Sequence, residues 1–422
     1  MNNYIARSLL GILTALVFIS SAAGSVFPDN PGLRVPIGGM ARIDKVFKDV
    51  GSRALKNSKN TIMLGQDISR NWLEAVKRGE IRVAFEREGE QIELGVKEDD
   101  NGQLEFYGFN RTRGLAIEES VVEKFIENFA VQFNGYRALR PGVSKEKDIG
   151  RQPDLQPHSK ETCQFSCENP SDSKSLLNRK SLGDFLIEGT LWQAYNNAAP
   201  FEKEGHFLLV PDIKESQERR PQVLIKKDIA DMVYLMRRSI NLLLFFNSRH
   251  AGATVNHIHF QGVYLDKDMP LLRAGRGREF IYKSVEISRL LNYKIPGLCF
   301  ESKNEADFTD AIWKAVELLQ QEGKEKPFNL IFIEDKAYLF IRNIDHEVVE
   351  DFRTGVFASY EISGKIIVVD KNTYDAVTIG KLEKAFRETC LDYGQISRIF
   401  AGVFIDRGIN RISNFRRTST SN

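Results

Sequence analysis

The sequence predicts an α+β protein in which one antiparallel unit is followed by a second, related one. Three observations carry this. Strand material in Phe185–Tyr195 and Gly205–Val210 leads into a long apolar-striped stretch, Lys226–Phe246. The same order, strand then amphipathic helix, returns in Leu298–Glu301 and Asn304–Gln321. The length of 422 residues also exceeds one typical domain, which favours two cores or one duplicated unit.

Met1–Gly24 has the three-part plan of an export leader: a short start carrying Arg7, an apolar run Ser8–Ile19, and small residues Ser20–Gly24. Cleavage is expected near Ala23 or Gly24, with an uncleaved anchor or an amphipathic start as the alternative. The apolar run is short for a membrane span, and no later segment is long enough for one.

Residues 25–150 read as an N-terminal α+β region. Asp67–Val76 is a capped helix with Ile68, Trp72, Leu73 and Val76 on one face. Ile81–Phe85, Gln91–Val96 and Leu104–Phe109 are strands, the last two joined by an Asn101-Gly102 hairpin signal. Ser120–Phe129 is expected to be a short helix. Residues 142–181 are polar and read as a loop or linker.

Residues 151–270 then form the first unit and 271–405 the second. In the first, Lys226–Phe246 is expected to be one helix, with Ile229, Met232, Val233, Met236, Ile240, Leu243 and Leu244 at helical spacing. In the second, Phe328–Ile333 and Ala337–Ile341 make a hairpin. Tyr360–Val369 reads as a strand with Gly364 inside it, and Thr378–Tyr393 as a helix ended by Gly394. Residues 406–422 are a basic, Ser/Thr-rich tail.

Composition excludes several function classes. Hydrophobic content of 42% and charged content of 27% are those of a globular protein. A net charge of +2 argues against a dedicated nucleic-acid binder, which carries a concentrated basic stripe. Four cysteines are too few for a disulfide scaffold.

The segment richest in chemistry is Val255–Gln261. Polar and apolar residues alternate in it, as in a strand with one buried face. His257, His259 and Gln261 would form a row on the other face, about 6.6 Å apart at the usual strand rise. A central imidazole in such a row can attack phosphorus and form a covalent intermediate. From spacing alone, a metal site or a solvent-facing polar strand stands beside that reading.

Three segments occur in order: Tyr195–Pro200, Gly205–Pro211 (GHFLLVP) and Asn256–Gln261 (NHIHFQ). Together they resemble the histidine-triad superfamily, in the branch that has Gln as the third member of the row and holds the hexose-1-phosphate uridylyltransferases. The nearest likeness is to the GDP-hexose phosphorylases, which use GDP-L-galactose or GDP-D-glucose. Phe129–Asn134 with Arg137, Arg140 and Pro141, and later Pro327–Ile331 and Tyr360–Gly364, are similar to further segments of that family. The resemblance implies a duplicated histidine-triad-like fold of antiparallel sheet units with packed helices. Residues 151–270 would be the catalytic half and 271–405 the degenerate one.

It also implies roles. His259 would attack the α-phosphorus of a GDP-hexose, release hexose 1-phosphate and carry the guanylyl group, which inorganic phosphate then removes as GDP. His257 would orient the site, and Gln261 would hydrogen-bond a phosphate oxygen. Because an amide does not exchange protons with water, Gln261 favours transfer to phosphate over hydrolysis. Thr254 would touch phosphate, with strand propensity as its other explanation. Gly252 would allow close approach of the backbone. Asn197 matches a ribose-binding position or is a turn residue, Asn247 touches phosphate or caps a helix, and Asn256 opens the matched segment. His206 is read as a hydrogen-bonded core histidine. No cofactor is expected. Zinc, which some members bind, would draw on Cys163 and Cys167, but these are four apart and no histidine follows Pro211. A Cys163–Cys167 disulfide is the competitor if the chain is exported.

The expected partners are a GDP-hexose and phosphate, not nucleic acid, and a homodimer is carried as an expectation. Transfer involving a dinucleoside polyphosphate or UDP-hexose, or nucleotide binding without catalysis, are the alternatives. The leader-like segment points to export, whereas the family's substrates point to the cytoplasm.

Overall fold

The computed structural model describes residues 64–139, 158–159, 163, 165, 176, 179–197, 200–211, 218–265, 269–344, 349, 352 and 357–406. The leader-like segment, Cys167, most of the 142–181 linker and the tail from residue 407 lie outside them.

Helix α1 (Leu64–Lys77) begins three residues before Asp67. Its Ile68, Trp72, Ala75 and Val76 are buried along one face. A four-stranded antiparallel sheet follows, of β1 (Arg82–Arg87), β2 (Glu90–Glu98), β3 (Leu104–Asn110) and β4 (Leu115–Ile117). The helix expected at Ser120–Phe129 is instead a hairpin of β5 (Val121–Ile126) and β6 (Phe129–Asn134). Its apolar residues imitate helical spacing, but Glu127 turns the chain at φ 50 and the ladder to β6 supplies the hydrogen bonds. The short helix α2 (Gly135–Ala138) is capped by the Asn134 side chain.

The centre of the molecule is an eleven-stranded antiparallel sheet. A minor pair, β7 (His158–Ser159) with β11 (Glu218–Arg219), lies outside it. The first half of the large sheet comprises β8 (Ser181–Ile187), β9 (Thr190–Asn196), β10 (His206–Pro211), helix α3 (Lys226–Arg237), β12 (Leu242–Asn247) and β13 (Phe260–Tyr264). The second comprises β14 (Gly275–Tyr282), β15 (Val285–Leu291), β16 (Leu298–Glu301), helix α4 (Glu305–Leu319), β17 (Phe328–Ile333) and β18 (Lys336–Ile341). The spatial orders are β8-β9-β10-β13-β12 and β14-β15-β16-β18-β17, one pattern used twice, and β12 pairs with β17 to join them. The duplicated antiparallel architecture is therefore real. The β14–β15 hairpin that completes its second copy carried no sequence reading.

The expected helix Lys226–Phe246 divides in two. Helix α3 stops at Arg237, Asn241 takes φ 56, and Leu242–Asn247 is a strand. Leu242, Leu244 and Phe246 face one core while Leu243 and Phe245 face another. A strand buried on both faces is a continuous apolar run, which periodicity does not separate from a helix. Ile240, placed inward by the helical reading, is exposed.

The first core packs α1, α3 and α4 on one side of the sheet. The second packs β6, β19 (Lys365–Val368) and α7 (Ile379–Thr389) on the other. Tyr360–Val369 is not one strand. It is helix α5 (Ser359–Ile362), a turn at Gly364 with φ +102, and then β19, which pairs in parallel with β6. A Cβ at Gly364 would lie 2.4 Å from Pro270 Cβ, so glycine is required there for space as well as for conformation. After α6 (Lys371–Ala376), α7 ends at Thr389, and Asp392 caps α8 (Tyr393–Phe400). Gly394 lies inside α8 and ends nothing. The short strand β20 (Ile405–Asp406) closes the sheet edge against β14. No helix among the described residues is long and apolar enough to cross a membrane.

Candidate active site

The histidine row does not lie on a regular strand. β13 starts at Phe260, so His257 and His259 precede it in irregular backbone. The alternation of faces survives nonetheless. Ile258 and Phe260 enter the first core, while His257 and His259 both lie against Phe165, at 5.6 and 5.1 Å between ring centroids.

A residue that carried no sequence reading holds this segment in place. Gln222 is buried, and its amide spans the main chain of His259: His259 N–H donates to Gln222 Oε1 at 3.0 Å, and Gln222 Nε2 donates to His259 O at 3.3 Å. One side chain thus stands in for a strand neighbour. Gln222 Nε2 also donates to Asn247 O, and Gln222 N–H donates to Asn256 Oδ1. Ile258 N–H donates to Arg220 O, whose guanidinium forks onto buried Asp228 at 2.8 and 3.1 Å. The signal for Gln222 was faint, a lone glutamine after Pro221. Gln222→Leu is expected to leave the buried His259 amide unpaired, costing about 1–3 kcal/mol in denaturant unfolding. Activity should fall further than that loss of stability explains, because the row shifts.

The hydrogen bonds define the tautomer of His259. Its Nδ1 lies 2.7 Å from the main-chain oxygen of His257. A carbonyl only accepts, so Nδ1 carries the proton and Nε2 keeps its lone pair. Burial is the main reason that the imidazole is held neutral, with its pKa lowered to about 4. The bond to His257 O opposes that shift, and the charges of His257 and Arg179 add to it.

This depressed pKa has a consequence for stability. The unfolded chain binds a proton at His259 below about pH 6.5, whereas the folded chain resists it until about pH 4. Between those values the unfolded state holds more protons, so stability falls as pH falls. The full contribution is about 3 kcal/mol, present at pH 7 and lost near pH 4. Urea unfolding at pH 4.5 and 7 should show this slope, and His259→Asn should flatten it.

The third member of the row is oriented from outside. His206, at the start of β10, is buried, with the Phe201 ring tilted against it at 3.7 Å between centroids. Phe201 N–H donates to His206 Nδ1 at 3.3 Å, which leaves the proton on Nε2, 2.9 Å from Gln261 Oε1. The Gln261 oxygen is thereby held as an acceptor, and its NH2 is turned to the other side. His206 is a hydrogen-bonded core histidine, as read from sequence, but the group it bonds is Gln261. The Asn197 side-chain amide lies against the same ring nitrogen of His206, which places Asn197 beside the row.

The other candidates divide. Thr254 is exposed, and Gly252, half-buried at φ +100, turns the loop that leads to it. Asn256 is buried against Gln222. Asn247 ends strand β12, not a helix, and its Oδ1 accepts from Asn329 Nδ2, Ser359 N–H and Ser359 Oγ–H. The structure thus ties Asn247 to the second half of the sheet. Cys163 Sγ is 3.2 Å from His257 Nδ1, the spacing of a hydrogen-bonded pair. Among the described residues no group of three or more His, Cys, Asp or Glu comes together as metal ligands. Cys163 and His257 are two groups of the kind a four-ligand zinc site draws on, and Cys167 lies outside the described residues.

Two family models match the chain. One describes a GDPGP1-like N-terminal domain and spans residues 161–263, and the other a GDPGP1-like C-terminal domain spanning 277–404. Together they cover more than half of the sequence. The chain belongs to the GDPGP1-like family. The N-terminal match contains the whole histidine row with Phe165, His206 and Gln222, and the C-terminal match contains the second half of the sheet from β15 onward.

Among curated proteins, GDP-L-galactose phosphorylase 1 of Arabidopsis thaliana is 28% identical over 221 residues, 49% of this chain and 49% of the relative. GDP-L-galactose phosphorylase 2 of Arabidopsis thaliana is 26% identical over 223 residues, 49% of this chain and 50% of the relative. The chain spans about half the length of the curated relatives it matches. The crystal structure of yeast Ap4A phosphorylase Apa2 in complex with Ap4A aligns with a TM-score of 0.47 and 15% identity, over 78% of this chain and 97% of that one.

Proposed function

We propose that this GDPGP1-like chain is a nucleotide phosphorylase that cleaves a GDP-hexose with inorganic phosphate. The observation that carries the reading is the hydrogen bond from His259 Nδ1 to His257 O. It commits the buried, neutral imidazole to presenting an unprotonated Nε2.

In the first step Nε2 forms a bond to the α-phosphorus as the bond to the bridging oxygen breaks, and hexose 1-phosphate leaves with that electron pair. The ring becomes cationic, and His257 O lies where it stabilises the Nδ1–H of that cation. In the second step an oxygen of inorganic phosphate attacks the same phosphorus, the N–P bond breaks, and GDP leaves while His259 returns to neutral. Gln261, with its oxygen held by His206, offers NH2 donors to the non-bridging oxygens. Its amide cannot act as a general base for water, which favours phosphate as acceptor. Thr254 and Asn197 are proposed as contacts to phosphate and ribose. The named activity of the two plant relatives supports guanine as the base.

Chromatography of products from GDP-, UDP- and ADP-hexoses and a dinucleoside polyphosphate, each with phosphate, tests the reading. GDP from a GDP-hexose is the expected product. Release of ADP from the dinucleoside polyphosphate, with no GDP from any GDP-hexose, would replace it with the alternative nucleotide.

A further inference from the structure

The turn between β9 and β10 stands outside their ladder, yet it carries the group that decides which nitrogen of His206 is protonated. Phe201 N–H donates to His206 Nδ1, and His206 Nε2 then holds Gln261 Oε1. The turn is held in part from the second half of the chain. Glu202 Oε1 accepts from the Tyr360 hydroxyl in α5 and, at 2.7 Å, from Lys365 Nζ in β19. The Phe201 ring meets Tyr360 in a stack at 4.0 Å and lies tilted against His206 at 3.7 Å. The Lys365 and Glu202 side chains are only 7% and 12% exposed, so water does not replace either partner if the other is lost. Lys203 O accepts from Trp72 Nε1 at 3.0 Å, a second tether that ties the turn to α1 independently of this clasp.

A buried ion pair adds little net stability over apolar residues of similar size, so what it supplies here is one fixed arrangement. On the phosphorylase reading above, we propose that Glu202 is a positioning residue of this site. Clasped by Tyr360 and Lys365, it sets the turn so that Phe201 N–H keeps the His206 proton on Nε2. The Gln261 oxygen then stays engaged, and its NH2 stays turned toward the phosphoryl oxygens. The half without a histidine row thus orients the third member of the row.

The test compares full-length wild type, Glu202→Gln, and a triple variant of Glu202→Leu, Tyr360→Phe and Lys365→Met. The triple change removes every polar member of the clasp together, so no charge or hydroxyl is left buried alone, and thermal unfolding should stay within a few degrees. Long-range proton–nitrogen NMR reads the His206 tautomer, its signals assigned by their absence from His206→Gln. Rapid quench with mass spectrometry reads nucleotidyl-His259 formation from GDP-D-glucose. Wild type should show one His206 tautomer, with Nδ1 unprotonated. The triple variant should show both tautomers and form adduct about 10²-fold more slowly, the scale of one lost transition-state donor. Glu202→Gln keeps an acceptor for Tyr360 and Lys365 and should recover part of that loss. The deciding comparison is made in Gln261→Ala, where the triple change should alter the rate by less than about threefold, because groups that act through one another do not add. An equal loss with and without Gln261 overturns the assignment, and so does a single Nδ1-unprotonated tautomer in the triple variant. A wild type with that tautomer but no adduct from GDP-D-glucose or a dinucleoside polyphosphate sinks the phosphorylase reading, and the NMR comparison alone then decides the clasp.

Discussion

Replacing His259 with Asn is expected to abolish the nucleotidyl adduct and to lower phosphorolysis by about 10⁴-fold or more, the scale of losing a nucleophile. The argument rests on which lone pair is available. Nδ1 is committed to His257 O, so the only nucleophilic electrons in this imidazole are on Nε2, and Asn has none equivalent. The companion His257→Asn separates position from chemistry. The acceptor that locks the His259 tautomer is a main-chain oxygen, which survives substitution of the His257 side chain. That variant should lose the contact with Cys163 but still form an adduct, at a reduced rate. Gln261→His should turn part of the product flux from phosphorolysis to hydrolysis, read as nucleoside monophosphate released without added phosphate. Activity of His259→Asn within tenfold of wild type, or an adduct on another residue, would sink the assignment of the nucleophile.

The residues of the candidate site are more legible in the sequence than the backbone that holds them. The candidate row His257, His259 and Gln261 is legible because alternation survives even where the backbone is irregular: Ile258 and Phe260 must still enter the core. That same alternation suggested a strand, which stops at Phe260 because Gln222 and Arg220 take over the hydrogen bonding of residues 258 and 259. No local pattern announces a side chain that replaces a strand neighbour 37 residues away. Phe165, which lies against both histidines, was hidden for a related reason, since it falls in a polar linker that reads as loop. In the fold, amphipathic helices such as α4 were legible from their stripe. Leu242–Phe246 was not, since a strand buried on both faces has no stripe. The repeat of two units was visible in outline, although the hairpin β14–β15 that makes it topologically complete was not read.

Arg342→Met is expected to cost about 3 kcal/mol or more, read as a lower denaturant midpoint and a fall of several degrees in Tm. Arg342 is almost fully buried at 1% exposure. Its guanidinium donates to Thr389 O at 2.9 Å, to Asn329 Oδ1 at 2.8 Å and to Phe357 O. Methionine fills similar volume but leaves those three buried oxygens without that donor, and an unpaired buried acceptor carries its desolvation cost in full. The effect should not stop at stability. Asn329, held by Arg342, donates to Asn247 Oδ1 and at 2.7 Å to Ala251 O, in the turn that carries Gly252 and leads to Thr254 and the histidines. The half of the sheet without a histidine row therefore braces the loop of the half that has one, which gives the second unit a reason to be present. Asn329→Leu should reproduce the activity loss of Arg342→Met with less loss of stability, since it frees the loop while the guanidinium keeps its main-chain acceptors. Equal activity in Asn329→Leu and wild type, measured well below both unfolding midpoints, would show that the second half supports the fold and not the site.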